Sequence, residues 1–309
     1  MNFCRNIEDF KVKNPVVTIG TFDGVHLGHK QIINRLLQKA KEINGTPLII
    51  TFWPHPRIVL QQNEKPIFLL NTLDEKTQLF NNLGIDKVLV CPFTKEFSVL
   101  SPLDFVKKYL VEMIGLRSII FGYDHHFGKN REGNFDNLQN YAKEWNFEIE
   151  KVEEYREGLT NISSTTIRRM LSEGELENAN TLLGYNYFMT GIVTDGLRIG
   201  RKIGFPTANI IVDKNKLVPK QGVYAVKVYI NNKSYNGVLN IGHKPTITEN
   251  KLNTTIEVHI FDFDENIYKK SIQVEFIKYI RTEKKFDSIA ELISQIENDI
   301  AICKSIIKI

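Results

Sequence analysis

Five short apolar runs punctuate the first half of the chain: PVVTIG (15–20), PLIITF (47–52), DKVLVC (86–91), RSIIFG (117–122) and FEIEKV (147–152). They are continuous rather than alternating, as parallel strands covered on both faces require. Between them lie helical patterns with readable ends. Thr72 and Glu75 have capping-box spacing, and Gly84 stands where a C′ residue would. Ser101 followed by Pro102 makes an N-cap with proline at N1, and Gly115 closes that helix. Strand and helix alternating in this way predict a parallel sheet with right-handed crossovers. The first half is therefore expected to be a doubly wound, Rossmann-like α/β domain, whose ligands sit beyond the carboxyl ends of its strands.

Two further helices are predicted at 163–172 and 175–183, ended by Gly174 and Gly184. Beyond Gly184 the periodicity changes. VYAVKVYI (223–230) and TTIEVHIF (254–261) alternate with period two, NNKS (231–234) is a hairpin tip, and SIQVEFIKYI (271–280) adds a strand. From Ser288 onward, Ile289, Leu292, Ile293, Ile296 and Ile300 share one helical face, capped by Ser288 with Glu291. An antiparallel β domain with one C-terminal helix follows, and the domains are expected to be 1–184 and 185–309.

Composition narrows the partners. The formal charge of +4 on 309 residues, with lysine pairs such as Lys269-Lys270 and Lys284-Lys285 isolated from one another, gives no nucleic-acid-binding surface. Cys4, Cys91 and Cys303 are odd in number and far apart, against a disulfide framework or zinc site and in keeping with a reducing compartment. The opening MNFCRNIEDFKVK lacks the apolar core of a signal peptide. No apolar run approaches the roughly 20 residues that span a bilayer. A cytoplasmic protein without a membrane partner is expected.

Residues 20–30, GTFDGVHLGHK, place two histidines three apart where a strand ends and a helix begins. Gly20 and Gly24 let the backbone turn closely. A helix start offers unpaired N–H groups and a partial positive charge, so it attracts phosphate. His26 and His29 face the same way there, able to donate to triphosphate oxygens and steady charge that builds at phosphorus. The same positive end disfavours imidazolium, making neutral donors the expected species. Single histidines near turns are more often structural, and no third ligand at suitable spacing supports a metal site. Residues 162–169, ISSTTIRR, are a matching piece: hydroxyls at a helix start cap it or hold phosphate, and Arg168 neutralises it.

GTFDGVHLGH and ISSTTIRR resemble the two signatures of HxGH-type nucleotidylyltransferases. With TFWPHP (51–56) and FGYDHHFGKNREGN (121–134), they resemble the N-terminal module of the prokaryotic bifunctional riboflavin kinase/FMN adenylyltransferase family. The resemblance implies AMP transfer from ATP to FMN. It places Gly20, Phe22, Asp23, Gly24, His26 and His29 against ATP, with Ser164, Thr165 and Arg168 closing over the triphosphate. Phe52, His55, Pro56, Asp124 and Phe127 would lie near the flavin. Asp124-His125-His126 stands where many members carry an aromatic or basic residue.

A second glycine-rich stretch, GIVTDGLRIGRKIGFPTAN (191–209), carries Gly191, Gly196, Gly200 and Gly204 with Arg198 and Arg201 as anion-binding charge. Glycines also punctuate hairpins, so a turn with a β-bulge is the plainer reading. In PTAN, Thr207 and Asn209 project to one side of an extended chain. Their hydroxyl and amide oxygens are hard ligands suited to Mg²⁺ on nucleotide phosphates. Glu257 falls opposite Ile256, Val258 and Ile260; most such glutamates are solvated, but beside a kinase site it would accept a proton from the attacking hydroxyl. Residues 182–309 are similar to riboflavin kinase modules through GRKIGFPTAN, GVYAV (222–226), NIGHKPT (240–246), IEVHIFDFDENIY (256–268) and IRTEKKF (280–286). That family implies a small antiparallel barrel, magnesium-nucleotide on Thr207 and Asn209, Glu257 as catalytic base, and Arg281 in a loop that closes on flavin or nucleotide. The expected substrates are riboflavin, FMN and ATP. Two alternatives are a chain with only the kinase module active, and a flavin- or nucleotide-binding regulator.

Overall fold

The computed structural model describes residues 2–4, 12–60, 66–123, 127–129, 132–157, 160–196, 200, 203–243 and 254–307. By internal contacts the chain divides into two units, Met1–Ser163 and Ser164–Ile309.

The five apolar runs form β2 (Pro15–Ile19), β3 (Thr46–Trp53), β4 (Lys87–Pro92), β5 (Ser118–Gly122) and β6 (Glu148–Val152). A short β1 (Asn2–Cys4), not foreseen, pairs parallel with β4 and completes a six-stranded sheet of order β1-β4-β3-β2-β5-β6. Val16, Val17, Leu48, Ile49, Val88, Ile119 and Ile120 are fully buried although neighbours along a strand point to opposite faces. Helices therefore cover both sides, which is why the runs do not alternate. The chain winds outward from β2 through β3 to β4, then returns to β5 on the other flank of β2. The carboxyl end of β2 is thus the topological switch point, where a doubly wound sheet opens a crevice.

Four helices of this unit bear on the site: α1 (Leu27–Glu42), α2 (Pro56–Leu60), α3 (Leu73–Asn82) and α4 (Phe105–Ile114). A fifth, α5 (Phe135–Trp145), packs Leu138 and Ala142 into the core. The Thr72–Glu75 capping box is present in both directions, at 3.2 and 2.9 Å. Ser101 caps the helix that Pro102 opens, accepting from the Asp104 amide as expected, yet from Phe105 the helix is wound as a π-helix up to the left-handed Gly115. The wider winding keeps Phe105, Leu110 and Ile114, five and four residues apart, turned into the core.

In the second unit, α6 (Ser164–Glu173) and α7 (Leu176–Leu183) lead into six strands: β7 (Phe188–Thr194), β8 (Ala208–Val212), β9 (Gly222–Ile230), β10 (Lys233–His243), β11 (Thr254–Ile260) and β12 (Ser271–Arg281). They close a barrel of order β8-β11-β10-β9-β12-β7. The NNKS tip is a two-residue turn in which Asn231 and Asn232 both take positive φ, as a type I′ hairpin demands. Asn180 of α7 donates to the Phe276 carbonyl at 3.1 Å and accepts from the Tyr187 amide at 2.8 Å, tying the α6–α7 pair to the barrel.

The last helix, α8 (Ile289–Ile307), keeps Leu292, Ile293, Ile296 and Ile300 of its expected face half-buried, with Ile300 packed against the barrel core; only Ile289, in the first turn, stands out of it. Ile289 is 66% exposed, while Asp299 and Cys303 are the buried positions. The Arg281 guanidinium grips the Asp299 carboxylate from Nε at 2.9 Å and Nη2 at 2.6 Å, with Gln295 adding a donor at 2.8 Å, so a charged position is buried beside the apolar ones. Glu291 N–H donates to Ser288 as foreseen, but the Glu291 carboxylate accepts from Asp287 rather than closing a box on Ser288.

Candidate functional site

At the switch point the Gly20 amide extends the β2–β3 ladder by one bond to the Ile50 carbonyl, and then the chain turns. Phe22, Gly24 and Val25 have φ of 47°, 91° and 38°. Glycine accepts this region readily; a phenylalanine and a β-branched valine do so only when the surroundings hold them there. The turn delivers His26 to the N-cap of α1. Its Nδ1 accepts from the His29 amide at 3.4 Å, which assigns the ring proton of the neutral imidazole to Nε2. The two imidazoles stack with centroids 3.6 Å apart and planes 17° from parallel, and the Phe22 ring meets His29 edge-on at 5.2 Å. With no acidic residue in the first turn, the positive helix end is not neutralised locally. Two imidazolium charges that close would repel by about 4–5 kcal/mol at an effective dielectric near 20, so the pair carries at most one charge cheaply.

Asp23 is differently employed. It is buried, and its Oδ1 accepts from the amides of Leu70 and Asn71 at 3.0 and 3.3 Å. Phe52, next to last in β3, lies in a three-ring cluster with Phe93 and Phe97, centroids 5.7–5.8 Å apart. Phe127 joins through Phe121 and Phe105. Phe93 and Phe97 carried no signal beyond following a strand end. His55 is buried, its Nδ1 accepting from the Arg57 amide at 3.1 Å, and Pro56 opens α2. Asp124, with His125 and His126, lies outside the described residues.

In the second unit Ser164 opens α6 and Arg168 follows one turn later on the same face; Thr165 is exposed. In the barrel, β8 and β11 pair so that Asn209 stands directly opposite Glu257, and on the other side β10 sets Asn240 opposite Glu257. A row of amide, carboxylate and amide results. Thr207 Oγ1 donates to Glu257 Oε2 at 3.3 Å, closing the set. A Cβ on Gly196 would collide with the Asn209 amide, so glycine leaves the space that amide occupies. Gly191 sits in β7 opposite Val212, and Gly204 lies in the turn before Phe205 with φ of 93°. Arg201 and Arg198 lie outside the described residues.

His259, two residues beyond Glu257 on the same face of β11, places Nδ1 2.8 Å from the Pro206 carbonyl. A carbonyl only accepts, so Nδ1 carries the proton, and His259 props the loop that presents Thr207. Neither Asn240 nor His259 was singled out in the sequence. Arg281, expected in a loop, is instead the last residue of β12 and engages Asp299. Asn240 Nδ2 donates at 3.2 Å to Glu283, two residues past Arg281. Among the described residues no trio of His, Cys, Asp or Glu is arranged to hold a metal by itself. The Thr207 hydroxyl and Asn209 amide oxygens, both brought beside Glu257, are hard donors that fit Mg²⁺ taking its other ligands from water and phosphate.

Comparison with known proteins covers both units. The FAD synthetase family model matches residues 10–166, and the riboflavin kinase model matches 183–307. The bifunctional riboflavin kinase/FMN adenylyltransferase of Listeria monocytogenes is 41% identical over 93% of this chain and 90% of its own length. Its counterpart in Bacillus subtilis is 40% identical over 92% and 90%, and that of Escherichia coli K12 is 35% identical over 96% and 93%. A solved structure described as a macrolide-efflux protein from Streptococcus pneumoniae superposes with a TM-score of 0.89 at 28% identity, covering 98% of each chain. In the present chain no described helix is long and apolar enough to cross a membrane. With family models on both units and relatives matched over nearly their full length, the chain belongs to the bifunctional riboflavin kinase/FMN adenylyltransferase family.

Proposed function

We propose that this chain performs two consecutive transfers from ATP, one in each of the modules 1–184 and 185–309. In the barrel, the terminal hydroxyl of riboflavin attacks the γ-phosphorus of ATP, giving FMN and ADP. At the switch point, a phosphate oxygen of FMN attacks the α-phosphorus of a second ATP, giving FAD and pyrophosphate. The observation that carries this reading is the pairing, in one chain, of a two-imidazole helix start at the sheet crevice with a Thr207–Glu257–Asn209 set in the barrel.

The roles follow from chemistry. Glu257 accepts the proton of the attacking hydroxyl, while Thr207 and Asn209 supply oxygens toward Mg²⁺, whose charge neutralises the phosphates when it is bound. Stacked His26 and His29 act as neutral donors to phosphate oxygens, and the α1 amides add the helix-end field. Ser164, Thr165 and Arg168 are assigned to the triphosphate; Arg168 adds the charge that pyrophosphate needs as it departs. The Phe52–Phe93–Phe97 rings offer an aromatic wall suited to a flavin ring. Three scattered cysteines, two of them buried and free, support a reducing cytoplasm as the place of work.

Riboflavin, ATP and Mg²⁺ incubated with the full chain should give FMN first and FAD later, followed by chromatography. Absence of both products overturns the proposal, and FMN that never proceeds to FAD, even when supplied directly, reduces it to the kinase alone. His259 gives a finer test. Losing its bond to Pro206 removes about 1 kcal/mol of loop order, so His259→Leu should raise the KM for ATP in FMN formation about fivefold. His259→Asn, able to donate from nearly the same point, should recover most of that; equal KM values in all three proteins would remove the role.

A further inference from the structure

Lys76 lies on α3, 1% exposed, and its ammonium donates to the Thr21 carbonyl at 2.5 Å. Thr21 is the first residue of the strained turn that ends at His26. Two residues on, Asp23 is held by the Leu70 and Asn71 amides just before α3 begins, and its charge acts on Lys76. The turn is therefore gripped at two points from one neighbouring segment, residues 70–76.

A buried ammonium is an expensive way to fill this space. Lysine is almost never fully buried, and a methionine of similar length would pack there without desolvating a charge. Burial pulls the amine down to about 8, against the upward pull of Asp23. Helix α3 already has its own cap in Thr72 and Glu75, and the Lys76 ammonium bonds to the Thr21 carbonyl outside that helix. What it touches is the turn in which Phe22 and Val25 are held in the left-handed region, and such a turn persists only where its surroundings over-determine it.

We propose that Lys76 is a positioning residue for adenylyl transfer, its ammonium clamping the Thr21 carbonyl so that the 20–25 turn presents His26 and His29 in stacked register. The proposal rests on the adenylyl-transfer reading of this site. It is tested in the full chain, where riboflavin phosphorylation in the other unit reports folding. Lys76→Met should lower kcat for FAD formation from FMN by about 10- to 100-fold, the scale of a misplacement near 1 Å. The KM values for ATP and FMN should stay within about twofold, and the kinase rate should be unchanged. An unchanged kcat overturns the proposal. So does a parallel loss of both reactions, unless Lys76→Gln, which keeps a donor of similar reach without the charge, loses kcat for FAD alone; equal behaviour of the two reactions in that variant also overturns it. Wild-type protein that makes no FAD from FMN would instead remove the adenylyl-transfer reading itself.

Discussion

His29→Ala should leave FMN accumulating from riboflavin and ATP while FAD formation falls by about 10²–10³-fold, the loss expected when one preorganised donor to a developing anion is removed. His29 is the cleaner half of the pair to remove. His26 caps α1 through Nδ1, so His26→Ala would also release the helix start, at a further cost of about 1 kcal/mol of stability. His29 lies inside the first turn and contributes its ring, stacked on His26 and touched edge-on by Phe22. Deleting that ring leaves the cap bond intact, because the bond uses the backbone amide of residue 29. The measurement is FMN and FAD by chromatography from one reaction mixture. Equal loss of both products would mean that the two transfers are not separable, and retention of FAD would remove the imidazole from the chemistry.

How far the sequence carried depended on whether a feature was local. The parallel strands were legible because burial on both faces leaves an unbroken apolar run, and the Thr72–Glu75 cap because its partners are three residues apart. His26 and His29 were legible for the same reason, sharing one helical turn. The barrel was harder. Strand β7 carries Gly191, and β10 carries Gly237, Asn240 and Gly242, which interrupt the alternation, and their strand character comes from partners far along the chain. Lys76 shows the limit most plainly. On a helical wheel a lysine among Asp74, Glu75 and Gln78 reads as a solvated position, and only the turn from the end of β2 makes it buried. Ile289 errs the other way: it shares the apolar periodicity of α8, but as the first residue of the helix it stays exposed, while the buried Asp299, held by Arg281, is absent from any periodicity.

Glu257→Gln should reverse the pattern of the histidine variant, with FMN formation from riboflavin reduced by about 10²–10⁴-fold, the usual contribution of a positioned general base. The amide is nearly isosteric and can still accept from Thr207, so the Thr207 contact now at 3.3 Å is retained while the site loses its proton acceptor. Asn209 and Asn240, fixed opposite residue 257 by the strand register, need not move. Because those backbone pairs set the geometry, substrate binding should change little and the loss should appear in kcat rather than in KM. FMN supplied directly should still be converted to FAD at the wild-type rate. Phosphoryl transfer relies mainly on positioning and charge neutralisation, so a residual rate well above background is expected. A variant that phosphorylates riboflavin at the wild-type rate would take the base role from Glu257 and leave the carboxylate only its part in ordering Thr207.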